Sequence, residues 1–263
     1  MIIDDHTHCH EWSFKKGDPE FEGDFVIQEM DKNGIDVSVI MDSCAYLGVD
    51  QRTSNEHTLE AIKLHPRRFV GFANIKPQQG EREVLDEIEL TVGKWGFRGI
   101  KLHPAVDHFP ANSKLVDPVV DAAIHFDVPV WIHTGHQPYA TPTLVGSLAS
   151  RFPRAKIICG HFGHGLFYDA ICAGRKHKSL LFDISFQGRH SFKLAHRELG
   201  AERLIFGSDC PYSGPGTVKG VVERASILGS EKDLILGRNI AQLMNINKLE
   251  EVELWAGRTP VSA

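Results

Sequence analysis

Short apolar runs recur along the chain, and each is followed by a polar stretch and then by apolar residues at helical spacing. Most of these runs are continuous rather than alternating, which is typical of strands that are buried on both faces. The runs predict eight strands, which are Met1–His6, Val37–Asp42, Phe69–Ile75, Phe97–Leu102, Val128–His133, Lys156–His161, Leu180–Ser185 and Leu204–Ser208.

Apolar residues three or four positions apart predict helices between these strands, as at Val84, Ile88 and Val92, and a final helix over 231–246. Eight β-α units in about 250 residues favour an α/β fold with a single (β/α)8 TIM barrel. A doubly wound sheet would normally carry a glycine-rich nucleotide loop after its first strand, whereas this strand ends in histidines. We expect residues 1–263 to form one domain, with a tail at about 248–263 lying on its surface.

Composition and charge narrow the choice of partners and compartment. The chain has 263 residues, of which 42% are hydrophobic, and a formal net charge of −5. An acidic balance disfavours nucleic acids and anionic membranes as partners. No apolar run reaches the roughly 18 residues of a membrane span, and the first residues do not resemble a signal peptide. Because the five cysteines include no CxxC pair, we also expect no disulfide framework and a cytoplasmic location.

The carboxyl ends of the predicted strands carry most of the candidate chemistry, and in a TIM barrel these ends face one active site. His6 and His8 stand two positions apart at the first end, so both imidazoles are expected on one face of the strand. Asp4 has the same parity, so it could hold a ring N–H group or pack behind the histidines. The other strand ends carry Lys101, His133, His161 and Asp209.

Histidine and aspartate side chains at successive strand ends predict a metal site. Asp209 closes an apolar strand, where an ionised carboxylate needs a cation or hydrogen-bond donors to offset its desolvation. Lys101 cannot ligate a metal as an ammonium, because it then has no lone pair. A substrate-binding or surface lysine is the alternative to a metal-related role at this position.

Several motifs, taken in order, resemble those of the amidohydrolase superfamily. They run from Ile3 to Ile246 and read IDDHTH, GFRGIKLHPA, WIHTG, ICGHFGH, FGSDCPY and ILGRNIAQLMNI. The chain resembles most the amidohydrolase-related group, which includes aminocarboxymuconate semialdehyde decarboxylase and pyrone-dicarboxylate lactonase. Its IKLHPA motif is also similar to the fourth-strand motif of dihydroorotase-type metal hydrolases. The resemblance implies a metal-dependent enzyme with a TIM-barrel fold.

The resemblance also implies a role for each strand-end residue. The residues that match the ligands of one metal ion are His6, His8, His133 and Asp209. Asp209 matches in addition the group that moves protons, and His161 matches either a second-metal ligand or a catalytic imidazole. In dihydroorotases the lysine that matches Lys101 is carboxylated and bridges two ions, whereas decarboxylase-like members use one ion without it. One or two divalent ions are therefore expected, with zinc as the default and Mn²⁺, Fe²⁺ or Co²⁺ as alternatives.

Four further residues are candidates for substrate binding. Arg189 follows the seventh strand and could clamp a substrate carboxylate in bidentate fashion, with a helix cap or a surface ion pair as the alternative. The residues that the loops are expected to bring to the pocket wall are His103, His136 and Tyr46.

These features predict a metal-dependent hydrolase of a small cyclic amide, lactone or related carboxylate-bearing substrate, acting through metal-activated water. The alternative is a metal-dependent lyase, either a decarboxylase or a hydratase, that acts on an unsaturated or aromatic carboxylic acid. A TatD-type nuclease fits less well, because such proteins carry glutamate instead of lysine on the fourth strand. A non-catalytic metal-binding scaffold is disfavoured by Asp209 standing beside an open coordination position. The expected partner is a small molecule, and the sequence leaves open whether the chain forms a homo-oligomer.

Overall fold

Eight parallel strands follow one another around a single sheet in chain order. A computed structural model of the chain describes residues 1–9, 17–19, 23–43, 49–248 and 251–252. Each observed strand overlaps one of the eight predicted from the sequence, although most are shorter. The strands are β1 (Ile3–Cys9), β2 (Val37–Asp42), β3 (Phe69–Asn74), β4 (Gly99–Leu102), β5 (Val130–Ile132), β6 (Ile157–Cys159), β7 (Leu181–Asp183) and β8 (Leu204–Ile205).

The first and last strands meet and close the sheet into a barrel. The amide of Asp5 donates a hydrogen bond to the carbonyl of Phe206 at 3.0 Å, and Thr7 forms a parallel bridge with Cys210. The prediction of a single (β/α)8 TIM barrel is therefore confirmed.

Helices alternate with the strands around the outside of this barrel. The predicted final helix is instead two short helices joined by a π-helical turn at Leu234–Arg238. Among the residues that the structure describes, no helix is both long and apolar enough to cross a bilayer. The helices are α1 (Asp24–Asn33), α2 (Gln51–Leu64), α3 (Glu81–Ile88), α4 (Asp117–His125), α5 (Pro142–Arg151), α6 (Phe167–Lys176), α7 (Arg189–Leu199), α8 (Pro215–Glu223), α9 (Gly229–Asp233) and α10 (Asn239–Leu243).

Apolar side chains fill the barrel beneath its carboxyl ends. Phe72 and Trp131 are fully buried in this inner cluster, and Met244 packs into the same cluster. A second cluster packs between the outer faces of the strands and the helices. Burial on both faces explains why the strands read as continuous apolar runs. Val252 is also buried in the inner cluster, so this described part of the predicted tail packs against the barrel rather than lying on its surface.

A bulge in β1 changes which residues face the barrel interior. Asp4 pairs with Ser38 and Thr7 with Ile40, so the chain advances three positions on β1 and only two on β2. Such an irregularity breaks the alternation of side chains along a strand. Asp4 was predicted to hold a ring N–H group or to pack behind the histidines, and its observed hydrogen bonds go to the backbone instead of a ring. Its carboxylate accepts hydrogen bonds from the backbone amides of His6 and Ser208, at 3.3 and 2.8 Å.

Candidate active site

A cavity of about 280 Å³ opens at the carboxyl ends of the strands, and its wall consists mostly of histidine side chains. Two of the predicted substrate-binding residues, His103 and His136, belong to this wall. The described lining residues are His8, His103, His133, His136, His161, His164, Phe186, Asp209 and Tyr212.

Three donor atoms from β1 and the segment after β8 converge at this cavity. Oδ1 of Asp209 lies 2.9 Å from Nε2 of His8 and 3.2 Å from Nε2 of His6. All three side chains are buried, and their ligand atoms form a group compact enough to hold a metal ion. Two donors at right angles and each about 2.1 Å from an ion would lie about 3 Å apart, which matches these separations.

The charge states of this group also suit a divalent cation. Burial, helped by the positive charge of Lys101, lowers the pKa of His6 well below its usual range, so its imidazole is neutral and keeps a lone pair. Burial alone would raise the pKa of Asp209, but the hydrogen bond from His8 and the charges of His161 and Lys101 lower it to about 2. The group therefore offers neutral imidazole and ionised carboxylate, which are ligands that zinc and manganese accept.

Lys101 lies beside this group on β4. Its Nζ atom is 3.2 Å from Nε2 of His6 and 3.5 Å from the centre of the Trp131 ring, and the side chain is 1% exposed. Burial lowers the pKa of Lys101 to about 7, although Asp209, Asp183 and Asp5 oppose the shift. A substantial fraction of the amine is thus neutral near pH 7 and able to react or to accept a hydrogen bond.

His133 does not join the group formed by His6, His8 and Asp209, although it was predicted as a ligand of the same ion. Its Nδ1 lies 3.1 Å from Nε2 of His161, and its Nε2 lies 2.7 Å from Nδ1 of His136. Its ring stacks on His103 with the centroids 3.8 Å apart. Of the four predicted ligands, the structure thus brings three together and places His133 beside His161.

His161 sits where the chain turns sharply after β6. The backbones of His161, Phe162 and His164 are left-handed, with φ values of 57°, 46° and 50°. Each such residue carries a strain of order 1–3 kcal/mol. The amide of His161 donates a hydrogen bond to Oδ1 of Asp183 at 2.7 Å, and its carbonyl accepts one from the side chain of Gln187 at 2.8 Å. These bonds hold the turn and aim the imidazole at the cavity.

Two buried carboxyl groups that were not predicted as site residues lie beneath His161. Asp5 and Asp183 both lie close to Gly207, and Nε1 of Trp131 donates to Oδ2 of Asp5 at 3.3 Å. Burial raises the pKa of Asp183 to about 6; burial, followed by the charges of Asp183 and Asp4, raises the pKa of Asp5 well above its usual range. Both shifts favour the protonated form of these buried carboxyl groups.

The sequence contains a signal that could have identified Asp183, but none that could have identified Asp5. Asp183 ends the apolar strand β7 as Asp209 ends the segment after β8, so the reasoning applied to Asp209 could have found it. Asp5 was hidden by the bulge, because strict alternation points it away from His6 and His8.

Arg189 is not among the described residues that line this cavity. Arg189 is exposed as the first residue of α7, and it lines a separate cavity together with Lys193 and Arg224. Tyr46 lies outside the described residues. The aromatic rings that do line the cavity were missed. Phe186 packs against His161 with centroids 5.4 Å apart, and Tyr212 packs against His8 at 5.5 Å.

Comparison with known proteins gives matches along most of the chain. A family model for amidohydrolases matches residues 7–245. The gamma-resorcylate decarboxylase of Polaromonas sp. (strain JS666 / ATCC BAA-500) is 24% identical over 254 residues, which cover 75% of this chain and 76% of that protein.

Two solved structures show a similar fold. One is a dihydroxybenzoic acid decarboxylase from Polaromonas sp. JS666, solved with bound manganese and the inhibitor 2-nitroresorcinol. It superposes with a TM-score of 0.74 at 19% sequence identity, and the match covers 95% of this chain and 98% of that chain. The 4-oxalomesaconate hydratase from Rhodopseudomonas palustris gives a TM-score of 0.73 and 18% identity, covering 97% and 98%. At these identities the structural likeness shows the fold alone.

Proposed function

This chain belongs to the amidohydrolase family, and on that premise we propose that it is a metal-dependent lyase that decarboxylates an aromatic or unsaturated carboxylic acid. Its relatives are decarboxylases and a hydratase, which favours a lyase over the hydrolysis of a cyclic amide or lactone that we expected from the sequence. One observation carries the proposal. His6, His8 and Asp209 converge beside a small cavity whose walls include the rings of Phe186 and Tyr212.

We propose that a divalent ion binds to His6, His8 and Asp209. The donor set suits manganese as well as zinc, and manganese in the Polaromonas decarboxylase favours it over the zinc that we expected from the sequence. The described lining residues include no lysine or arginine, so they offer no other full positive charge to a substrate carboxylate at neutral pH. When bound, the ion would hold that carboxylate and stabilise negative charge on the substrate.

We propose His161 as the residue that moves the proton. Decarboxylation breaks the bond between a ring carbon and the carboxylate, releases CO₂ and places a proton on that carbon. Burial lowers the pKa of His161 to about 3, although the charge of Asp209 opposes this, so the imidazole is neutral and can accept a proton at neutral pH. It can take the proton from an acidic group of the substrate and return it to the ring carbon.

The cavity also indicates the size and shape of the substrate. Its volume of about 280 Å³ is at the small end for ligand sites, which favours a molecule with one ring. Phe186 and Tyr212 offer flat apolar surfaces to such a ring, and His103 and His136 offer polar atoms to its substituents. A cytoplasmic location and a homo-oligomer remain predictions.

A direct assay tests this proposal. The purified chain, loaded with Mn²⁺, is incubated with gamma-resorcylate and other hydroxybenzoates, with an unsaturated dicarboxylic acid, and with lactones and cyclic amides. We expect CO₂ release and loss of the acid's absorbance with at least one aromatic acid. Turnover of a lactone or cyclic amide without any CO₂ release would restore the hydrolase expectation. Addition of water to the unsaturated acid alone would identify a hydratase instead.

A further inference from the structure

The hydroxyl group of Ser185 lies between Asp183 and His161. Nδ1 of His161 is 2.6 Å from Oγ of Ser185, and this Oγ is also in hydrogen-bond contact with Oδ1 of Asp183. The three side chains are at most 2% exposed, so solvent does not compete for these bonds.

The direction of each hydrogen bond in this chain can be assigned. Oδ1 of Asp183 accepts the backbone amide of His161 at 2.7 Å, and Oδ2 accepts the amide of Ser185 at 3.1 Å. An amide nitrogen can only donate, so both oxygens already act as acceptors. In the contact between Oδ1 and Oγ of Ser185, an ionised carboxylate has no hydrogen to give, so the hydrogen comes from the hydroxyl. The Ser185 hydroxyl therefore donates to Asp183.

A hydroxyl group has one proton, so Oγ of Ser185 can interact with His161 only as an acceptor. Nδ1 of His161 must then carry a hydrogen. In a neutral imidazole the second nitrogen is bare, and which nitrogen is protonated is set by the bond that the other one makes. Nε2 lies toward the cavity, 3.1 Å from Nδ1 of His133, from which it can accept a hydrogen bond.

We propose that Ser185 is a positioning residue that holds His161 as its Nδ1–H tautomer, with an unprotonated Nε2 facing the cavity. The consequence for turnover rests on the function proposed above, since only an unprotonated Nε2 can accept a substrate proton there. The opposite tautomer would direct an N–H group into the cavity and would have to exchange its proton first. Supporting bonds of this kind typically change activity by about 10–100-fold when they are removed.

The tautomer can be measured without any substrate. Long-range ¹H–¹⁵N correlation spectra of the metal-free, ¹⁵N-histidine-labelled chain distinguish protonated from bare ring nitrogens, and loss of one spin system in His161→Asn assigns the signal. We expect His161 to be protonated at Nδ1 and bare at Nε2. Observation of the Nε2–H tautomer in the unsubstituted chain would overturn the proposal, and this result does not depend on the folding of any Ser185 variant.

The variants Ser185→Ala and Ser185→Thr then test whether the Ser185 hydroxyl is what holds His161 as its Nδ1–H tautomer. We expect Ser185→Ala to populate the Nε2–H tautomer and to lower kcat about 10–100-fold with KM within about twofold, whereas Ser185→Thr keeps the Nδ1–H tautomer because it keeps the hydroxyl. Ser38→Ala is the matched control. It also removes a fully buried barrel hydroxyl, but at a position on β2, and it should change neither the tautomer nor kcat. An unchanged tautomer in Ser185→Ala would reject the role of Ser185.

The two measurements separate this proposal from the proposed function. A tautomer shift in Ser185→Ala, in a chain that releases no CO₂ from any acid, would support the positioning role while rejecting the decarboxylase. Decarboxylation in Ser185→Ala at the rate of the unsubstituted chain would support the enzyme and reject the positioning role.

Discussion

Nε2 of His8 lies 2.9 Å from Oδ1 of Asp209, although the two residues are 201 positions apart in the chain. The contact exists because β1 and the segment after β8 close the barrel. The amide of His8 donates to the carbonyl of Cys210 at 2.8 Å, and the amide of Asp209 donates to the carbonyl of His6 at 2.8 Å. The proposed metal site is thus built on the seam between the first and last strands, so the ion would join the two ends of the barrel.

Metal removal should therefore affect both activity and stability. We expect a chelator to abolish turnover, and Mn²⁺ to restore it and to raise the Tm, because an ion that binds only the folded state stabilises that state. His8→Ala should weaken Mn²⁺ binding by about 10-fold or more. His125→Ala, which removes an exposed histidine from α4, is the control and should leave binding unchanged. Full activity in a preparation shown by elemental analysis to be metal-free would refute the metal-dependent proposal.

The chemical state of Lys101 distinguishes a site for one metal ion from a site for two. The decarboxylase proposal predicts one equivalent of Mn²⁺ per chain and an unmodified Lys101 amine, because the proposed ligands His6, His8 and Asp209 form one group that does not include Lys101. Metal analysis combined with native mass spectrometry checks both points, and Lys101→Gln should retain that one ion. Two equivalents in the unsubstituted chain, an added mass of CO₂, and loss of one ion in Lys101→Gln would indicate a bridging carbamate.

The barrel was predictable because its signal is repeated eight times along the chain. Most of the strands read as continuous apolar runs, and a shift of a few residues at a boundary does not alter the topology. The convergence of His6, His8 and Asp209 followed from the same rule, since all carboxyl ends of the strands face one site.

What was missed depends on local geometry that no periodic pattern encodes. The bulge between Asp4 and Thr7 breaks the alternation on which the role predicted for Asp4 rested, and the same alternation left Asp5 out. His133 directly follows β5, and its ring bonds to His136 and His161, so its role as a metal ligand stays a prediction. The sequence also suggested that Arg189 could reach the site, whereas the turn after β7 carries it onto the outer surface of α7.

Gly207 lies so close to two buried carboxyl groups that even a methyl side chain should destabilise the fold. A Cβ atom at this position would lie 2.2 Å from Oδ1 of Asp5 and 2.2 Å from Oδ2 of Asp183, and both groups are held by hydrogen bonds in the interior. We expect Gly207→Ala to lower the free energy of unfolding by about 1–3 kcal/mol, and urea denaturation measures it. Gly229→Ala is the control, because no atom lies within 4 Å of the added Cβ. Equal stability of the two variants would contradict the close approach of these carboxyl groups.

Asp4 should make the metal-free chain less stable as the pH rises. Burial raises the pKa of Asp4 from 3.8 to about 7, although hydrogen bonds from Ser208 and His6 oppose the shift. Between these two values the folded chain holds a proton that the unfolded chain has lost, so the free energy of unfolding falls as the pH increases from about 4 to 7. The loss is of order 4 kcal/mol.

Asp4→Asn isolates this contribution, because asparagine keeps the acceptor oxygen but does not titrate. The stability of Asp4→Asn relative to the unsubstituted chain should rise across this pH interval, as measured by urea denaturation in the presence of a chelator. The difference cancels the contribution of the buried histidines, whose lowered pKa values change stability in the opposite direction. Asp121→Asn, at an exposed position on α4, should show no such trend, and a flat difference for Asp4→Asn would contradict the buried proton.

A comparison of His161→Asn with Asp209→Asn separates proton transfer from metal binding. Both native residues have left-handed backbones, with φ values of 57° and 61°, and asparagine adopts this conformation more readily than most residues. We place the ion on His6, His8 and Asp209, whereas His161 belongs to a second compact group with His6 and Asp183, so His161→Asn should keep the proposed ion and still lose about 10²–10⁴-fold in kcat, the usual contribution of a positioned acid-base group. Asp209→Asn removes the ionised carboxylate from the proposed metal site, so metal affinity and activity should fall together and recover in part at high Mn²⁺. The measurements are metal content and rate on the same preparation. The opposite result would be a His161→Asn variant that turns over within a few-fold of the unsubstituted chain, together with an Asp209→Asn variant that binds metal but is inactive. Asp209 would then be the residue that moves the proton, and hydrolysis would be favoured over decarboxylation.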